Sequence, residues 1–321
     1  MAGIELYAPR LAKHRRTWSV AAIFLVAVFF VLGQTLTFLP IMVAVKLAGF
    51  RLDPANLQNS LMGIMSEWPI ISAMLIGCAF TAVAVFLWVW LFERRGLQTI
   101  GFNADGFKRF GRGFLIGLGF LGAAVGGIAL LGGYRIETAG IWGAPSLVAF
   151  LPILVLLVGF CIQGSTEEIL MRGWLMQVIA SRHGVIWAMA INAIIFSLMH
   201  GMNTEPTPEL MLGLLNIVLV GVFFSLYAIK EQSLWGVCGW HAAWNWLLSA
   251  GFGLEVSGIV IKAPPLVVDL TGAKGAPWWL TGGTFGPEGS VVATVVLLTG
   301  TIWLGWQVVR SAPKGFPVIA E

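Results

Sequence analysis

Apolar runs long enough to cross a bilayer recur along the whole chain, which leaves few folds open to it. A spanning helix needs about 18–20 mainly apolar residues. Runs of that kind lie near residues 18–43, 69–92, 111–133, 152–181, 186–202, 210–229, 233–252 and 291–310. The fourth is the least regular: Pro145 and Pro152 favour a start or kink, and charged residues interrupt it, but Met171 to Ala180 resumes the helix. The expected fold is all-α, a polytopic membrane protein of about eight transmembrane helices. Composition agrees, with 58% hydrophobic and 11% charged residues, where soluble domains carry about a quarter charged.

Eight crossings put both termini on one side, and the positive-inside rule selects that side. Fourteen basic residues fall with the termini: Arg10, Lys13, Arg15, Arg16, Arg94, Arg95, Lys108, Arg109, Arg112, Arg172, Arg182, Lys230, Arg310 and Lys314. Five fall opposite: Lys46, Arg51, Arg135, Lys262 and Lys274. Leaving out the intramembrane Arg172 does not change the choice, and both termini are expected to be cytoplasmic. The net charge of +4 is dispersed among these connectors and forms no stripe, so no nucleic-acid partner is expected. Cys78, Cys161 and Cys238 lie in apolar runs without paired spacing and read as small buried hydrophobes. The first apolar run has no convincing cleavage site and reads as a retained span.

The chain divides into a flank with three helices (1–150), a four-helix core (151–252), and a loop with the last helix (253–321). Glu93 to Lys108 reads as a plain connector. Gly253 to Ser290 is the one long loop, rich in Gly and Pro, with Trp278 and Trp279 at an outer interface. A plain extracytoplasmic loop is the reading, and a partly re-entrant lid the alternative. No internal repeat, nucleotide-binding, zinc-finger or HExxH pattern is found.

Within the fourth run, Gly164-Ser-Thr-Glu-Glu-Ile-Leu-Met-Arg172 places three ionisable groups where a charge costs roughly 2.5–3.5 kcal/mol on insertion scales. Glu168 and Arg172 are four apart on one helix face and can neutralise each other. Glu167 points about 100° away and needs another partner. Of four histidines, His200 and His241 lie within spans. Asn192, Phe196 and His200 share one helix face, and His241 and Asn245 share another. A turn at Ser181–Gly184 puts Glu167 and His200 at nearly equal depth, so Glu167, His200, His241 and Asn245 can meet in one chamber. A carboxylate and an imidazole can hold and activate a water. A second His beside an Asn offers donors to an oxyanion. Such parts suit hydrolysis of an acyl bond. A structural histidine, interhelical amide glue and a purely structural Glu168–Arg172 pair are the plain readings of the same residues.

Three motifs resemble those of the CPBP (Abi) intramembrane proteases, related to the CAAX prenyl endopeptidases. EExxxR reads Glu167-Glu168-Ile-Leu-Met-Arg172, FxxxH reads Phe196-Ser-Leu-Met-His200, and HxxxN/D reads His241-Ala-Ala-Trp-Asn245. The segment Thr281-Gly-Gly-Thr-Phe-Gly-Pro-Glu-Gly also resembles one in bacterial members. The resemblance covers about 150–250. It implies an eight-helix endopeptidase of the bacterial inner or plasma membrane, acting on a membrane-associated or lipidated peptide or protein. Glu167 with His200 would activate water, and His241 and Asn245 would hold the oxyanion. No cofactor is expected in this version; the alternative is zinc on Glu167, His200 and His241. A proton-coupled transporter and a non-catalytic immunity or scaffold protein are the rival classes.

Overall fold

The computed structural model describes residues 13–311 except 52, 54, 55 and 104; Arg10 and Lys314, counted above for topology, lie outside these residues. Eight principal helices follow in order: α1 (Ser19–Leu47), α2 (Trp68–Phe92), α3 (Gly106–Leu130), α4 (Leu147–His183), α5 (Val185–Leu198), α6 (Pro208–Glu231), α7 (Trp235–Trp246) and α8 (Val291–Arg310). Six of them are long and apolar enough to cross a membrane, two fewer than the eight apolar runs suggest. The exceptions are α5, with 14 residues, and α7, with 12 before a π turn at Leu247–Gly251. The fifth apolar run continues to residue 202, but its helix ends at Leu198 and the chain turns through His200. In α7, every residue from Gly236 to Asn245 is buried, so the other helices enclose it rather than lipid.

The long loop is more structured than its Gly and Pro content suggests. Its strand β2 (Asp269–Gly272) pairs antiparallel with β1 (Tyr134–Thr138), with a bulge between Ile136 and Thr138. A tight turn, Val256–Ile259, closes with two backbone hydrogen bonds of 3.0 and 2.9 Å. Lys262 N–H donates to the Ser66 carbonyl at 2.8 Å, so the segments after α1, α3 and α7 meet at one end of the bundle. The connector after α5 joins them through Asn203, which donates to the Ser257 carbonyl, whereas the connectors after α2, α4 and α6 meet at the opposite end. There Arg15 N–H donates to the Glu93 carbonyl, Leu234 N–H to the Gly101 carbonyl, and Arg182 to the Thr17 carbonyl.

Close helix contact at the centre depends on glycine. A Cβ at Gly113 of α3 would stand 1.9 Å from the Gly236 carbonyl oxygen of α7, and one at Gly239 would stand 2.1 Å from the Phe110 carbonyl oxygen. Small residues of this kind let helix backbones touch where lipid supplies no hydrophobic driving force. This contact places α7 in the middle of the bundle.

The stretch after α2 is not a plain connector. Glu93 and Arg95 are both fully buried and paired. Glu93 Oε2 accepts from Arg95 Nε and Nη2 at 2.8 and 2.5 Å. Its Oε1 accepts from Thr17 at 2.5 Å and from the Trp174 indole at 3.3 Å. This cluster ties the entrance to α1 and the end of α2 to α4.

Candidate active site

The site is built on an irregularity in α4. The helix runs as α through Glu168 and then as a π turn over Ile169–Leu175; wide turns of this kind recur at functional sites. Asn192 of α5 donates to the Met171 carbonyl within that turn at 2.6 Å. The i,i+4 pair forms at zero exposure, with Arg172 Nη1 3.0 Å from Glu168 Oε1. Arg172 Nη2 also donates to the Gly221 carbonyl of α6 at 3.2 Å. The guanidinium lies 4.4 Å from the Phe196 ring centroid and 5.2 Å from that of Phe224, so aromatic faces take part of its charge. Phe196 therefore acts as a plate between Arg172 and the two imidazoles, whose rings it meets edge-on.

His241 stands between the two glutamates. Its Nδ1 is 3.0 Å from Glu168 Oε1, and its Nε2 is 3.6 Å from Glu167 Oε2. Glu167 thus finds its ion-pair contact in His241, whereas the expected arrangement set it against His200. At 3.6 Å the contact is too long for a hydrogen bond, and Glu167 Oε2 has no hydrogen-bond partner. His200 lies past the end of α5 in the following turn rather than within a helix. Its Nδ1 is 2.9 Å from the Phe196 carbonyl oxygen. A nitrogen bonded to a carbonyl carries the hydrogen, so the neutral ring presents Nε2 as an acceptor.

Glu167, His200 and Asn245 line one cavity of about 170 Å³, room for a few waters at about 30 Å³ each. Gln163 and Asn203 add polar groups to its wall, and Ile71, Leu75 and Phe160 add an apolar side. A smaller recess beside it brings His200, His241 and Asn245 together with Ser257 and Glu288. All four residues singled out from the sequence therefore lie around two adjoining hollows. Residues 149–247 match the family model described as type II CAAX prenyl endopeptidase Rce1-like. This segment is Rce1-like, of the CPBP family. No curated protein and no solved structure matches the chain.

The Rce1-like segment holds Glu167, Glu168, Arg172, Phe196, His200, His241 and Asn245, and it belongs to a family of proteases. With its apolar helices, the protein is an integral, multi-pass membrane protein. Two further site residues lie outside the Rce1-like segment. Glu288 accepts from the Trp244 indole at 2.9 Å with Oε1, and from Ser257 N–H and Oγ at 2.5 and 2.8 Å with Oε2. Ser257 is held at φ 47°, in the left-handed region, and its carbonyl accepts from Asn203 at 3.0 Å. Gln163 accepts from Asn245 Nδ2 at 3.1 Å, leaving the second amide hydrogen of Asn245 for other use.

Some of these residues carry a sequence signal. Gln163 is one helical turn before Glu167, and Glu288 belongs to the Gly-Pro-Glu-Gly segment that resembles one in bacterial members. Asn203 and Ser257 carry none. Of the cysteines, Cys238 is buried, while Cys78 is half-buried and lines the larger hollow. Among the described residues, no three His, Cys, Asp or Glu side chains converge to hold a metal ion.

Proposed function

We propose that this chain is an intramembrane endopeptidase that hydrolyses a peptide bond of a membrane-associated or lipidated peptide or protein with water activated by Glu167. The carrying observation is the shared cavity of Glu167, His200 and Asn245, with the His241 ring held from behind by Glu168. A water between Glu167 and His200 Nε2 gives a proton to the carboxylate as its oxygen attacks the scissile carbonyl carbon. The carbonyl oxygen takes up the electron pair. An imidazolium His241 donates to it from Nε2, and Asn245 from its second amide hydrogen. Collapse breaks the C–N bond, and the proton on Glu167 passes to the leaving amine. The apolar side of the cavity suits a substrate that arrives through the bilayer. The family's name points to prenylated CAAX sequences as the first to try.

The same reading has the chain traverse the bilayer eight times, α5 and α7 included, with both termini cytoplasmic. It is supported by the alternation of connectors between the two ends of the bundle. A cysteine introduced at Lys274 should then react only from outside the cell, and labelling from the cytoplasmic side alone overturns this topology.

The test of mechanism uses purified protein with two probes, a farnesylated CAAX peptide and an unlipidated transmembrane peptide. Glu167→Gln should stop cleavage of whichever probe the wild type cuts. Zinc is measured on the same samples. One retained zinc whose chelation reversibly stops cleavage overturns the metal-free mechanism and makes His241 a ligand. Unchanged cleavage by Glu167→Gln overturns the assignment of the base.

A further inference from the structure

A second, open hollow lies away from the protease residues. It is an open groove of about 550 Å³ between α1 and α2. Leu32 and Leu36 form one wall, and Phe80, Val83 and Leu87 the other. The lining is apolar along its length except at one end, where Arg15 closes it. From Phe80 to Phe92 the groove follows thirteen residues of α2, about 18 Å at 1.5 Å per residue. One leaflet of a bilayer contributes about half of a hydrocarbon core roughly 30 Å thick. The groove is therefore about as long as one acyl chain, with a cation where the headgroup would lie.

The charge at that end is built into the fold. Arg15 is anchored by its backbone, whose N–H donates to the Glu93 carbonyl at 3.1 Å, and its guanidinium stands 5.8 Å from the Phe92 ring centroid. Its side chain is exposed, as are those of Lys13, Arg16 and Arg94 nearby. The neighbouring carboxylate of Glu93 does not cancel them, because it is buried and paired with Arg95. Basic pockets between membrane helices recognise anionic headgroups in this way.

We propose that the groove between α1 and α2 binds one acyl chain of an anionic phospholipid, with its headgroup on Arg15. The site is separate from the protease cavity and stands or falls without it. Native mass spectrometry of the full chain in detergent tests the proposal, with phosphatidylglycerol and phosphatidylcholine of identical acyl chains as probes and free glycerol phosphate as a competitor. The wild type should retain phosphatidylglycerol in preference, and glycerol phosphate should not displace it. Arg15→Gln should weaken phosphatidylglycerol retention about fivefold, the share of one basic residue at a membrane surface, and leave phosphatidylcholine unchanged. Val83→Trp, which fills the groove from an exposed position, should remove both. Equal retention of the two lipids by the wild type, displacement by glycerol phosphate, or no change in Arg15→Gln overturns the proposal.

Discussion

Among the described residues, two buried carboxylate–guanidinium pairs differ in how completely they are satisfied. Glu93, at one end of the bundle, has four donors on its two oxygens, from Arg95, Thr17 and Trp174. Glu168, within α4, directs one oxygen at both Arg172 and His241 and leaves Oε2 without a hydrogen-bond partner. Its neighbour Glu167 faces a cavity and meets only a long contact to His241. A saturated buried pair rigidifies what it joins, whereas buried oxygens left short of donors are costly and call for an explanation. The difference separates a saturated structural joint from the cavity where we propose that the chemistry takes place.

The sharpest way to break this comparison is Glu167→Gln, which keeps the shape but cannot take a proton. Turnover should fall by about 10²–10⁴, the usual share of a general base, while the melting temperature in detergent stays near that of the wild type. Glu93→Ala should show the reverse. Leaving Arg95 buried and unpaired should cost about 3–5 kcal/mol, read as a lower melting temperature, while the folded fraction keeps its activity. Equal melting of these two variants would dissolve the distinction.

Arg172→Ala sharpens the comparison, because this pair also holds the ring that faces Glu167. It should lower the melting temperature more than Glu167→Gln does, and turnover should fall with it. Asn245→Ala should cost about 10²–10³ in rate if its amide donates to the oxyanion, with little loss of stability. The smallest effect should come from Ser257→Gly. Glycine accepts the left-handed backbone without strain, which offsets the lost hydroxyl bond to Glu288, so stability should shift by about 1 kcal/mol or less. A shift several times larger would give the Glu288 clamp a weight comparable to that of the Glu93 pair.

Properties that act along the chain are legible in the amino-acid sequence by itself. Apolar run length locates all eight principal helices, and helical periodicity sets Arg172 one turn from Glu168, since a partner four residues away is chosen by the backbone alone. The same periodicity puts Glu167 on another face and carries His241 and Asn245 together. It overruns at α5, because apolar residues continue past Leu198 while the backbone turns. Hydropathy reports what a residue prefers, not where the hydrogen bonds stop.

Only the tertiary structure decided which imidazole meets which glutamate, because that depends on the rotation and depth of α7 against α4. Both are set by distant backbone contacts at Gly113, Gly236 and Gly239. Packing likewise buried Glu93 and Arg95, whose charges read as solvent-facing in a short connector. It also brought Glu288 back across more than forty residues to Trp244. Local spacing carries no information about such pairs: their geometry follows from how the helices cross, and the crossing is a property of all the surfaces packed together.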